Sequence, residues 1–105
     1  MSHDQAAKLG FKERVAHWAE LLKVGTHVVV LRPMRSKWAS CSTSGRLTFN
    51  SELLTLDREL WDYVIVHELL HFFVPNHGRL WKSLMTAYLG DYKVLESRLK
   101  QINHE

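Results

Sequence analysis

The segment His67-Glu68-Leu69-Leu70-His71 places two imidazoles four residues apart with a carboxylate beside the first. On a helix such positions differ by about 40° in azimuth and roughly 6 Å along the axis, so both rings can reach one zinc ion at about 2.0–2.1 Å. A catalytic zinc usually takes three protein ligands and keeps a fourth position for water. The third ligand must therefore come from outside this helix, and His77 is suitably placed, since Pro75 and Gly78 break the helical pattern around it. Glu96 and Asp91 are rivals that would make a two-histidine, one-carboxylate site. Glu68 lies about 100° round the helix from His67, where it can contact a metal-activated water rather than the metal. Zinc lowers the pKa of such a water towards about 7, and a carboxylate there can act as general base and return the proton to a leaving amine. Tyr92, Tyr88, Tyr63 and Arg79 are candidate donors to the oxyanion. The chemistry expected is that of a zinc-dependent hydrolase with one Zn2+ per chain.

The elements that must position these groups follow from periodicity. Asp4 to Lys23 carries Ala7, Phe11, Val15, Trp18 and Leu22 on one stripe, which predicts an amphipathic helix ended by Gly25. Thr26 to Leu31 is β-branched and short, so a strand closed by Pro33 is expected. Lys37 to Ser42 and Arg46 to Asn50 flank Ser42-Thr43-Ser44-Gly45, a turn cluster that predicts a hairpin with Leu47 and Phe49 facing the core. Thr55 or Asp57 can cap a helix from about Arg58 to Phe73 that is apolar on nearly every side, and so central. A third helix carries Trp81, Leu84, Met85 and Tyr88 and stops at Gly90; Asp91 can cap a last one with Tyr92, Leu95, Leu99 and Ile102 inward.

At 105 residues, 46% hydrophobic and 24% charged, the chain reads as a single folded domain spanning 1–105. Its longest apolar runs are far too short to cross a bilayer, and its first residues lack the pattern of a secretory signal. Cys41 is the sole cysteine, expected as a small buried residue in a reducing, cytoplasmic setting. The net charge of +3 is uneven: Lys23, Arg32, Arg35, Lys37 and Arg46 fall in a stretch without an acid. That basic segment, 23–46, suits either a charge-protected strand edge or weak nucleic-acid association. His3, His17, His27 and His104 lack partners and are expected at the surface.

Several motifs in order resemble the YgjP-like metallopeptidase domain, related to the SprT-like and WLM zincins. They are Lys37-Trp38-Ala39-Ser40-Cys41-Ser42, Gly45-Arg46-Leu47-Thr48-Phe49-Asn50, Asp62-Tyr63-Val64-Ile65-Val66 leading into His67-Glu68-Leu69-Leu70-His71, then Pro75-Asn76-His77, Trp81, and Tyr88-Leu89-Gly90-Asp91-Tyr92. The resemblance implies a compact minimal α+β zincin-like fold: a small, mostly antiparallel sheet over an active-site helix, with further helices. It implies three histidine ligands with a glutamate base, and so favours His77 over Glu96. It also implies a polypeptide substrate added as a strand along the hairpin, with Trp38, Arg46, Thr48 and Asn50 offered to it. YgjP-like proteins often carry a longer N-terminal β region than the helix and strand expected here. SprT-like and WLM relatives include proteases that digest proteins crosslinked to DNA, which matches the basic segment. Two other functions compete. Some relatives of the group are nucleoside triphosphate pyrophosphatases, for which Arg35, Lys37, Arg46 and Arg79 could hold phosphates, though no glycine-rich phosphate loop is present. A non-enzymatic, zinc-stabilised binding module would have no use for Glu68 beside its ligands.

Overall fold

A computed structural model describes residues 3–25 and 28–102. Thr26, His27 and His104 lie outside them, and with them the expected start of the first strand and the surface placement of those two histidines. The elements run α1 (His3–Leu22), β1 (Val28–Arg32), β2 (Ala39–Cys41), β3 (Arg46–Asn50), a 3-10 turn (Ser51–Thr55), α2 (Arg58–Leu70), α3 (Arg79–Leu89) and α4 (Tyr92–Ile102). The architecture is α+β, as expected.

Helix α1 buries Phe11, Val15, Trp18 and Leu22 of the predicted stripe, with Ala19 beside them, and Ala7 is half-buried. Its end differs from the expectation. Lys23, not Gly25, takes the left-handed conformation, at φ 58°. The Val24 amide donates to the Ala19 carbonyl at 2.9 Å and the Lys23 amide to that of Glu20 at 3.2 Å. This is a Schellman cap, and Val24 packs against the core beside it. Those interactions hold a lysine where local preference favours glycine.

The hairpin turns at Gly45, whose φ of 91° needs a residue without a Cβ. Its strands β2 and β3 pair antiparallel, Ala39 opposite Phe49 and Cys41 opposite Leu47. Strand β1 then adds to the far side of β3 in parallel, Val28 opposite Arg46 through Arg32 opposite Asn50. The sheet order is therefore β1-β3-β2, and the sheet is mixed rather than mostly antiparallel. Leu47 and Phe49 are fully buried. Alternation puts Ala39, Cys41, Val29 and Leu31 on their face of the sheet and Arg46, Thr48 and Asn50 on the other.

Helix α2 is the centre of the molecule, in contact with α1, α3, α4 and β2. Leu60, Trp61, Val64, Ile65, Val66, Leu69 and Leu70 are all buried, so its apolar surface is used all round. Asp57 occupies its N-cap position, but its carboxylate pairs with Arg98 of α4 instead of capping. The α-helix ends at Leu70, with His71 in helical conformation as the C-cap and a turn over 71–73, slightly short of the predicted Phe73. Asp62 ties α2 to α1 by accepting from Arg14 Nε at 2.6 Å, Arg14 Nη2 at 3.0 Å and Trp18 Nε1 at 2.8 Å. Phe11 links helix to sheet, its ring 5.0 Å from Phe49 and 5.2 Å from Trp61.

Candidate metal centre and cleft

The last turn of α2 carries His67, with His71 one turn on, so their rings share a face, centroids 4.9 Å apart. The chain then leaves the helix through Pro75 and returns His77 to the same point. Its Nε2 lies 3.1 Å from His67 Nε2 and 3.0 Å from His71 Nε2. Among the described residues these three form the group able to hold a metal ion, every pair of ligand atoms within 4.8 Å. Ligands at zinc distances in a tetrahedron stand about 3.3 Å apart, close to this spacing. Glu96 and Asp91 lie outside the group. Glu96 instead accepts from the Tyr63 hydroxyl at 3.3 Å, and Asp91 is exposed between α3 and α4.

The donor chemistry suits a cation. His71 Nδ1 lies 3.3 Å from the Val74 carbonyl, an obligate acceptor, and His67 Nδ1 lies 3.2 Å from a Glu68 carboxylate oxygen. Both Nδ1 atoms then carry the proton, and both Nε2 atoms turn lone pairs inward. A single N–H on His77 Nε2 could satisfy only one of them, whereas one divalent ion accepts all three. Burial, and after it the charges of His67 and His71, lower the pKa of His77 and favour the neutral, ligating form. The orientation of His77 comes from Trp81: the two rings stack at 4.4 Å and 30°, and Trp81 also meets His67 edge-on at 5.2 Å.

Two cavities flank this centre along β2, and Glu68, itself buried, lines both. One, about 330 Å³, lies at the N-terminal end of β2 between Trp38, Ala39, Tyr63, Val64 and Leu99. The other, about 420 Å³, lies at its C-terminal end between Cys41, Thr43, His71 and Phe72. Strand β2 is the sheet edge over the site, since β3 is paired on both sides. Of the residues expected at substrate, Trp38 lines the cleft, whereas Arg46, Thr48 and Asn50 belong to the opposite face of the central strand. Asn50 is engaged in architecture: its Nδ2 donates to the Met34 and Lys37 carbonyls, each at 3.0 Å, and its Oδ1 accepts from the Glu52 amide. Ala39 and Cys41 face the helix in their place. Burial, then the charge of Glu68, raises the Cys41 thiol pKa.

Among the donor candidates, Tyr63 stacks on His67 at 5.9 Å and Tyr92 is buried edge-on to Trp81. Tyr88 instead sits edge-on to Trp18, towards α1, and Arg79 is exposed at the start of α3. Arg32, Arg35 and Lys37 line one surface cavity in the β1–β2 loop. Trp81, read as a core residue from helical spacing, is indeed buried in the core and also stacks on His77, a second role that its spacing alone did not show.

The chain matches the YgjP-like metallopeptidase domain over residues 2–102. It belongs to that family. An uncharacterised protein of Methanocaldococcus jannaschii is 33% identical over 78 residues, 70% of this chain and 71% of that protein. The crystal structure of the metallopeptidase zymogen of M. jannaschii jannalysin has a TM-score of 0.74 at 29% identity, covering 90% of this chain and 95% of its own. That of the metallopeptidase zymogen of Pyrococcus abyssi abylysin has a TM-score of 0.76 at 24% identity, covering 90% and 96%, a likeness in fold. Family membership makes the chain a metallopeptidase with a divalent metal, and the histidine triad is the group that could hold it. No helix among the described residues is long and apolar enough to cross a membrane.

Proposed function

We propose that the chain hydrolyses peptide bonds, with one zinc ion held by His67, His71 and His77 and with Glu68 as general base. The observation that carries this reading is the convergence of three Nε2 atoms beside a buried carboxylate, under a free strand edge. Bound zinc would polarise the scissile carbonyl and acidify the attacking water. Glu68 takes one proton of the attacking water as its oxygen bonds to the carbonyl carbon and passes that proton to the amine as the C–N bond breaks, so that water is divided between the new carboxylate and the new amine. Main-chain groups of Ala39 to Cys41 align the peptide as an added strand. Tyr92, which packs edge-on against Trp81, is the donor to the oxyanion in this reading, since the Tyr63 hydroxyl donates to Glu96 and Tyr88 packs against Trp18.

The phosphate-cleaving alternative has less support, because Arg46 lies on the far face of the sheet and Arg79 is separate from the Arg35–Lys37 loop. Arg32, Arg35 and Lys37 favour substrates associated with nucleic acid; if so, addition of duplex DNA should speed cleavage of a DNA-bound protein at low salt and lose that effect at high salt.

Elemental analysis tests the centre: near one zinc per wild-type chain is expected, sharply reduced in His77→Ala. Glu68→Gln should keep its zinc and lose activity by about 10²–10⁴-fold. A folded, metal-supplemented wild type without zinc, or an active Glu68→Gln variant, would overturn the reading.

A further inference from the structure

Resting on the peptidase reading, we infer that Tyr63 and Glu96 are positioning residues for His67: Glu96 fixes the Tyr63 hydroxyl, and the Tyr63 ring keeps the imidazole in its ligating orientation while Glu68 handles the proton of the attacking water. The three ligand rings are held by different means. His71 Nδ1 has the Val74 carbonyl at 3.3 Å, and His77 has the face of Trp81 at 4.4 Å. Neither of those partners takes a proton in the reaction. His67 Nδ1 has an oxygen of Glu68 at 3.2 Å, and Glu68 is the general base.

His67 is therefore the ligand whose support changes during turnover. A hydrogen bond to an ionised carboxylate is about twice as strong as one to a neutral acceptor, so Glu68 grips the Nδ1–H while charged and loosens once protonated. Tyr63 supplies a support independent of that proton. It lies one turn before His67 on α2, and its ring stacks on the imidazole at a centroid distance of 5.9 Å and an angle of 24°. Trp81 meets the same imidazole edge-on at 5.2 Å, so the two aromatics restrain it from different directions.

The Tyr63 ring is fixed in turn from α4. Tyr63 is 7% exposed, and a phenol hydroxyl on a side chain so buried requires an acceptor. The hydroxyl donates to Glu96 Oε2 at 3.3 Å. Glu96 is half-buried and flanked along α4 by Leu95 and Leu99, both in the core, so its carboxylate is delivered by the packing of α4 against α2. The line Glu96–Tyr63–His67 ties the orientation of a ligand to a helix that supplies none of the three histidines.

The test measures zinc affinity by competitive chelation for Tyr63→Phe, Glu96→Ala and Glu96→Gln, each with Glu68 intact and again with Glu68→Ala. With Glu68 in place two supports act on His67, and Tyr63→Phe or Glu96→Ala should weaken zinc binding by less than about threefold; with Glu68→Ala the same changes should weaken it by about 10–100-fold. On a peptide substrate with Glu68 intact, Glu96→Ala should lower kcat by about 10–100-fold while KM stays within about twofold. Glu96→Gln, which keeps an acceptor for the hydroxyl, should restore most of that loss. A tie that merely joins α4 to α2 would lower the Tm and act alike in both Glu68 backgrounds. Equal effects on zinc affinity in the two backgrounds, or an unchanged kcat in folded Glu96→Ala, would overturn the positioning of His67 by Tyr63 and Glu96. If Glu68→Ala does not fold, the kcat and KM of the two Glu96 variants decide. Larger effects on zinc affinity with Glu68→Ala, but no cleavage of any peptide by the wild type, would uphold the positioning and sink the peptidase reading.

Discussion

His77 lies in the bend between α2 and α3, where no helical register orients it. Asn76 Oδ1 accepts from the Gly78 amide at 3.0 Å, and a Cβ on Gly78 would meet that oxygen at 2.8 Å, so a larger residue there would displace the Asn76 side chain that closes the bend. Stacking on Trp81 does for this ring what the Glu68 and Val74 oxygens do for the other two. Trp81→Leu should therefore lower zinc affinity by about 10–100-fold in competitive chelation, with Trp81→Phe retaining most of it. In a His77→Ala background the Trp81 effect should vanish, which separates positioning from general packing. Acidity acts at the same residue. His77 has its pKa lowered on folding, so its neutral state contributes fully above the unfolded value of about 6.5 and that contribution is lost as pH falls through the folded value. The Tm of the metal-free protein should fall between about pH 7.5 and 5.5, and less steeply in His77→Ala. The ligand spacing and the chain break made the triad legible in the sequence. The role of Trp81 was hidden because apolar spacing explains an aromatic on a helix equally well whether it packs a core or a ligand.

At the scale of elements, the hairpin was legible from its turn and its alternation, but which of its two strands is the open edge was not. Which edge is free depends on where β1 docks, and its parallel pairing with β3 joins segments 18 residues apart through no local signal, Val28 with Arg46. The central placement of β3 moves Arg46, Thr48 and Asn50 out of the cleft and leaves Asn50 to hold the 34–37 backbone. Asn50→Ala should destabilise the fold by about 1–3 kcal/mol in denaturant unfolding, as two carbonyls lose a buried partner. It should also raise KM more than it lowers kcat, since Trp38 follows that segment. The end of α1 was misplaced by two residues because glycine preference is weaker than the paired hydrogen bonds that close at Lys23. Lys23→Gly should relieve its left-handed backbone and stabilise the protein by about 0.5–1 kcal/mol.

For the whole molecule, a metal at this centre would join α2 to the entrance of α3, two elements otherwise held by side-chain packing. Removal of zinc by a chelator should cost about 2.7 kcal/mol relative to protein kept at a hundredfold excess over its Kd. Calorimetry should then record a fall in Tm on the order of 10 °C. The loop from Pro33 to Trp38 enters and leaves through strands that both rest on β3, and Asn50 holds it from below, its side-chain amide on the Met34 and Lys37 carbonyls and its main-chain amide on that of Trp38. Such a segment behaves as a replaceable cassette. Insertions or exchanges within it would rewrite what the enzyme selects while α2 and its chemistry stay as they are, so diversification in this lineage has an inexpensive place to occur.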